Sequence, residues 1–321
     1  MHTTTPVTEP SMHSLTLPER AALNSLAGRS HKRRWGFLKT VVVAAVALYV
    51  VILIVPLLLS FIYSFTNLNP LFPNTKFVGF QNYSDLASDL DFRDSLIRTI
   101  VLSVNVTVLA NVAGLVIALL LNRASRFYAF LRTLFFIPQV LSGVVVAFIW
   151  TIILTTNNGI LNILLKQVGL SAKDIAWLGT PSLAMLSLTV VIIWQQMGFC
   201  VVVYLAALQA IPTDLIEAAT IDGAKKWDVF RQVTFPLLGP GVTTNVVLLL
   251  IITLKLYDQV AVLTAGGPGG STQTLAYYII RVTFTRNEAG YGSAMSLILF
   301  FLIAIAAILL TVTLRKREVE Y

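Results

Sequence analysis

Few residues in this chain have the chemistry for catalysis. All three histidines, His2, His13 and His31, lie near the N-terminus, and the single cysteine, Cys200, sits inside an apolar run. The apolar body therefore has no imidazole for a metal, haem or proton relay, and a lone cysteine makes no intrachain disulfide. The expected catalytic and metal sets are both empty. What remains is charge and hydrogen bonding at depth. Lys255 and Asp258 stand three apart in an apolar stretch, a spacing that puts both on one face of a continuous helix. Charges at membrane depth mark function by default: here either a neutralising pair facing a bundle, or a polar solute path in which Asp258 accepts from hydroxyls. Trp194, Gln195, Gln196, Asn245 and Tyr257, with Asn105, Asn111 and Gln139, offer amides and aromatic faces to the same path; singly, each also fits as glue between helices.

These residues need elements to hold them, and composition says which. Of 321 residues 56% are hydrophobic and 12% charged, about half the charge of a soluble domain. Apolar length, cut by Gly, Pro and charge, predicts six spans at about 40–62, 99–121, 133–155, 182–208, 238–263 and 291–314. Backbone groups in lipid must be satisfied within the segment, so the spans are helices. The first begins too far from Met1 and lacks the small-residue site of a cleaved signal. Basic residues crowd one side: the N-terminal tail, the Arg123–Arg132 and Lys225–Arg231 loops, and Arg315–Arg317. Both termini are then expected in the cytoplasm, and the net charge of +8 reads as topology rather than nucleic-acid binding.

One cytoplasmic connector has more structure than a turn needs. In "EAATIDGAKKWDVFRQVTFPLLGP", Glu217 to Pro240, Asp214 followed by Glu217 has the spacing of a capping box, and Gly223 falls where a helix C-terminus favours positive φ. A short helix, a bend, and a second helix over roughly Ala224–Val233 are expected, with Pro236 and Pro240 bracketing the return to the membrane. On charge alone this is an amphipathic turn among anionic headgroups. The glycine-rich "AGGPGGST", Ala265 to Thr272, lacks the Lys of a phosphate-binding loop and falls on the opposite side, so it is expected to be a bent external segment or a flexible loop. Nowhere does a Walker sequence occur, so ATP hydrolysis is not expected of this chain.

The order of residues goes further than charge. Glu-Ala-Ala, then Asp-Gly-Ala, then Phe230, Val233, Phe235-Pro236 and Pro240 resembles the cytoplasmic EAA loop of permease subunits in binding-protein-dependent ABC importers, with Val233 and Phe235 where the family pattern usually has Ile and Leu. "FVGFQNYSDL" from Phe77, "WQQMGFCVVVYLAALQAIP" from Trp194 and "YDQVAVLTAGGPGGSTQTL" from Tyr257 resemble other segments of the carbohydrate, maltose-type branch. The resemblance implies an all-α membrane protein with six transmembrane helices of the type I ABC importer permease fold. Its parts would be a cytoplasmic tail (1–36), a first helix and external loop (37–95), a core permease domain (96–315) with the coupling loop at 209–237, and a cytoplasmic C-terminus (316–321). It implies a multi-pass protein of the bacterial plasma membrane that moves a sugar. Partners would be two ATP-binding cassette subunits carrying the ATP and Mg, a second permease, an extracytoplasmic solute-binding protein or lipoprotein, and the bilayer. Glu217, Ala218, Ala219, Asp222 and Gly223 would contact the ATPase. Competing expectations are an ion-coupled secondary transporter using Lys255 and Asp258, an importer of a non-sugar solute such as a sugar phosphate, and a membrane scaffold.

Overall fold

The computed structural model describes residues 39–72, 74–170, 173–316 and 318. The expected tail, 1–36, and most of the expected C-terminus lie outside the described residues. The chain divides into two compact units at Leu59/Ser60. The first described helix, α1 (Lys39–Tyr63), is unbroken and long enough to cross a bilayer, and its large apolar side chains from Val41 to Leu59 are exposed apart from the half-buried Ile54. This is the composition of a helix solvated by hydrocarbon rather than by water.

Within the second unit, α2 (Gln81–Ser88) leads into α3 (Leu90–Leu121), a bent pair α4 (Arg126–Val140) and α5 (Gly143–Leu154), a short α6 (Ile160–Gln167), and the long α7 (Pro181–Ala210). Then come α8 (Thr213–Ile221), α9 (Lys226–Leu237), α10 (Gly239–Leu254), α11 (Leu275–Ile280) and α12 (Ala289–Arg315). Among the described residues the only β feature is an antiparallel bridge between Thr66 and Phe77. Four helices, α1, α3, α7 and α12, cross unbroken; with α4–α5 and α9–α10 counted as one span each, there are six.

Those two pairs correct the expected spans. The third span is not one rod over 133–155, because α4 and α5 meet at 99°. Pro138 lies inside the last turn of α4, Leu141 is extended, and Ser142 starts α5 afresh by accepting from the Val145 N–H at 3.3 Å. The fifth does not run through 263. Helix α10 stops at Leu254, and a separate π-helical turn over Val260–Thr264 follows. Apolar residues continue past the break, so composition alone could not locate it.

Helix α7 is the hub. Its buried residues enter one cluster with Leu102, Val146 and Val260, and another with Ala110, Leu238 and Leu249. Small residues set the approach: a Cβ on Gly198 would lie 2.5 Å from the Phe135 carbonyl oxygen of α4, and one on Gly114 of α3 would lie 2.4 Å from the Cys200 Cβ. Where lipid replaces water, such close backbone packing is a main source of helix association. A third cluster, with Leu86, Phe92, Tyr278 and Met295, joins α2, α3, α11 and α12.

At one end of that cluster Asp89 caps α3. Its carboxylate accepts from the Phe92 N–H at 3.0 Å, from the Tyr278 hydroxyl at 2.9 Å and from the Tyr291 hydroxyl at 2.8 Å. Burial pushes its pKa up, but the Phe92 N–H and the two tyrosines outweigh burial and hold it below the ordinary 3.8. A carboxylate lowered in the folded state stabilises above its unfolded pKa, and the effect fades as pH falls through the lowered value. Asp89→Asn is therefore expected to destabilise by about 1–2 kcal/mol at pH 7. Detergent-phase thermal unfolding should show that gap closing as the pH falls below the ordinary carboxylate value of 3.8.

Candidate functional site

The connector from α7 to α10 starts with Pro212. Ile211 before it is extended, as a residue preceding proline prefers, and α8 begins at Thr213. The expected capping box does not form. Pro212 is the N-cap, has no N–H to give a side chain at the third position, and makes no side-chain cap itself; Asp214 lies inside the first turn, where it favours the helix dipole. Glu217 is thereby left without a side-chain hydrogen bond or ion pair among the described residues, and it is exposed. Ala218 beside it is exposed and Ala219 half-buried.

The C-terminus of α8 forms as expected. Gly223 has φ +84°, the Gly223 N–H donates to the Thr220 carbonyl and the Ala224 N–H to the Ala219 carbonyl, both at 3.1 Å. These paired bonds close the helix and reverse the chain. Asp222 and Gly223 face solvent, and a Cβ at Gly223 would touch nothing within 4 Å, so the glycine serves backbone conformation and leaves open space around it. Helix α9 then begins where Asp228 accepts from the Lys225 N–H, and it runs to Leu237 rather than ending near Val233. It turns 60° into α10. Two exposed apolar residues flank the bend, Ile221 at 84% and Trp227 at 66% exposure. Sequence reasoning took Ile221 only as a helix-compatible residue and passed over Trp227; the available signal was two large apolar side chains in a connector otherwise rich in charge.

Beyond the end of α10 the structure separates what spacing had joined. Lys255 is the C-cap of α10, Leu256 and Tyr257 are non-helical, and Asp258 starts the next turn. The pair therefore does not share a helix face and forms no ion pair among the described residues; each is exposed. Tyr257 stacks on Tyr277 with ring centroids 6.1 Å apart. Trp194 meets Trp150 edge-on at 5.6 Å.

The amides behave differently from one another. Gln195 is buried and works at both helix breaks: its Nε2 donates to the Leu141 carbonyl at 3.0 Å, and its Oε1 accepts from Gln259 Nε2 at 2.7 Å. Gln259, absent from the candidates, is the residue that brings the two breaks together, and Gly143 permits it, since a Cβ there would lie 2.8 Å from Gln259 Nε2. Asn245 is fully buried and donates to the Cys200 carbonyl at 3.3 Å, while its Oδ1 has no partner. Gln196 is buried with Oε1 unpartnered, as is Trp150 Nε1. Asn111 acts as glue, donating to the Thr107 carbonyl and accepting from the Tyr204 hydroxyl. Asn105 is exposed and Gln139 half-buried.

Beyond Asp258, "AGGPGGST" is a compact knot rather than a floppy loop. Thr272 Oγ1 donates to the Gly267 carbonyl, Tyr277 hydroxyl to the Ala265 carbonyl, and Thr274 Oγ1 to the Leu256 carbonyl at 2.8 Å. No group of three or more His, Cys, Asp or Glu suited to a metal occurs among the described residues.

Comparison with known proteins decides the family. Residues 110–318 match the binding-protein-dependent transport system inner membrane component. The chain belongs to that family. It is a multi-pass membrane subunit of a transporter, of a family that translocates rather than catalyses. Relatives include a probable starch degradation products transport system permease of Thermoanaerobacterium thermosulfurigenes, 35% identical over 84% of this chain and 91% of that protein. A multiple sugar-binding transport system permease of Streptococcus mutans is 34% identical over 89% of this chain and 97% of its own length. A trehalose/maltose transport system permease of Thermococcus litoralis is 34% identical over 72% and 77%. Among solved structures, a chain of a bacterial ABC transporter for import of the acidic polysaccharide alginate has the same fold, with TM-score 0.77 and 21% identity over 90% of this chain and 98% of that one.

Gln195→Leu should leave the Leu141 carbonyl and the Gln259 amide unpaired. A loss of about 1–3 kcal/mol in chemical unfolding is expected, with Gln195→Glu recovering part of it by keeping the acceptor for Gln259.

Proposed function

We propose that the chain is the permease subunit of an ATP-driven sugar importer and forms half of its translocation pathway. The curated relatives named for starch products, multiple sugars, and trehalose or maltose support sugar as the solute class. The observation that carries the coupling role is the exposed α8–Gly223–α9 unit, with an unpaired Glu217 carboxylate and the apolar Ile221 and Trp227 beside it. Small side chains at Ala218 and Ala219 allow close docking of a partner, Glu217 offers a charge to a basic group, and the bend at Gly223 sets the angle of entry.

On this reading the partners are two ATP-binding cassette subunits, which hold the ATP and Mg, a second permease, and an extracytoplasmic solute-binding protein. One of the structural neighbours was solved with a periplasmic protein bound to an alginate pentasaccharide. Closure of the cassettes moves α8, α9 carries the motion to α10, and the bundle changes between two packings. Residues 96–315 form the translocating core, 209–237 its coupling loop, 37–95 the first helix and external segment, and both termini lie in the cytoplasm. The solute path runs past Trp194, Gln196, Asn245, Tyr257, Lys255 and Asp258, and Gln195 shapes it by holding the helix breaks. Lys255 and Asp258, both exposed at the break and without an ion pair among the described residues, offer a donor and an acceptor to a saccharide's hydroxyls.

Two measurements test this. Gly223→Val places a β-branched residue at φ +84°, so cassette co-purification and solute uptake should fall by about tenfold while membrane insertion stays normal. Full retention of cassettes by the variant would refute the docking role. Uptake in cells depleted of ATP with ion gradients intact should cease; sustained uptake would instead establish an ion-coupled carrier.

A further inference from the structure

Two cavities follow one another along the same face of α3. The first, about 410 Å³, lies at the end of the bundle from which α8 and α9 project; its wall includes Leu119 and Asn122 of α3, Ile211, Thr220, Lys226 and Phe230. The second, about 280 Å³, begins at Phe235 and Val242 and rises along Leu115, Val112 and Val108. Leu119, Leu115, Val112 and Val108 are spaced three or four apart and form one stripe. Tyr204 of α7 lines the second cavity and Leu208 the first, so α3, α7 and the α9–α10 elbow bound both.

The cleft is apolar within and polar at one end. From Leu119 to Val108 the stripe rises about 17 Å, close to the roughly 15 Å of hydrocarbon in one leaflet. At the mouth, Lys226 is exposed and forms no ion pair among the described residues, with the Asn122 amide as a further donor, while the Thr220 hydroxyl is committed to the Ile216 carbonyl. Asp228, the nearest acid in sequence, has one carboxylate oxygen on the Lys225 N–H. Lys225 and Arg231 add exposed positive charge on the same helix start.

From this geometry we propose that the cleft holds an anionic phospholipid, its phosphate at Lys226 and one acyl chain laid along the α3 stripe. The chain fills space between α3 and the elbow that α9 makes with α10, and the phosphate ties the start of α9 to the membrane surface. The lipid thereby holds the α8–α9 unit at a set height, a role that rests on the coupling reading above, whereas its binding does not.

The test uses the full-length chain, alone and in its transporter complex, in nanodiscs doped with a phosphatidylglycerol or phosphatidylcholine carrying a diazirine in the acyl chain. After irradiation, label on residues 107–119 is mapped by mass spectrometry. Phosphatidylglycerol should label that segment more strongly than phosphatidylcholine, and Lys226→Gln, a surface change that leaves folding intact, should reduce the difference by about fivefold. Leu115→Trp, which fills the cleft, should remove the label from 107–119 while label on α12 persists. Equal labelling by both lipids, or no change in Lys226→Gln, would reduce the cleft to ordinary bilayer contact and overturn the proposal. Absence of label in the complex but not in the isolated chain would show a protein partner covering the cleft, and would overturn it as well. Because the readout is lipid contact rather than uptake, failure of the importer reading leaves this result interpretable.

Discussion

A helix that breaks inside lipid must satisfy the backbone groups it frees, and the architecture of this subunit depends on how that is done. Two of its spans free backbone groups, at the α4–α5 bend and at the end of α10, and one side chain serves both places. Gln195 on the unbroken α7 takes the Leu141 carbonyl at the α4–α5 bend and accepts from Gln259 beyond the end of α10. Thr274 takes the Leu256 carbonyl, and Thr99 of α3 accepts the Leu275 N–H at 2.7 Å. Without these bonds each freed group would cost a few kcal/mol in hydrocarbon. Unbroken α3 and α7 thus carry polar side chains where the α4–α5 bend, the segment after α10 and the start of α11 need partners.

Broken spans have a mechanical consequence. A rod transmits motion along its axis, but a span with a hydrogen-bonded joint can change angle by exchanging partners. The fifth span has one joint where α9 meets α10 and a second at Lys255, so displacement of the α8–α9 unit reaches the exposed charges through two articulations. By contrast α7 is stiff and closely packed: Gly198 admits the α4 backbone, Cys200 receives Gly114, and both contacts leave no room for a methyl group. A stiff hub with jointed neighbours suits a protein that alternates between two packings.

The connector formed by α8 and the start of α9 is held differently. Its helix is short and makes few contacts with the bundle, so its geometry comes from local devices: Pro212 to start it, paired terminal bonds around Gly223 to stop it, and Asp228 to start the next. Local devices hold the unit in shape while leaving the Glu217 carboxylate without a hydrogen bond or ion pair among the described residues and Ile221 and Trp227 exposed, Trp227 against Phe230 at 5.5 Å between ring centroids; exposed apolar surface of this kind marks an interaction site.

How much of this was legible beforehand divides along the range of the interactions. Apolar length predicted the spans, and residue order from Glu217 to Pro240 predicted the bent helical connector, because those signals act over one or two turns. The capping box at Asp214 failed through another local rule, the missing N–H of Pro212. The Lys255–Asp258 pair failed for a different reason. Its spacing argument assumed a continuous helix, and the break at Leu254 is sustained by Thr274, which lies 18 residues beyond Leu256. Gln259, 64 residues from Gln195, carried no sequence signal of its partner. Composition and local order thus determined that this chain crosses a membrane as helices and presents a bent connector at one face. Only the tertiary structure decided where spans break and which polar groups stay free, because in lipid a backbone group can be left by its own helix only where a distant side chain receives it.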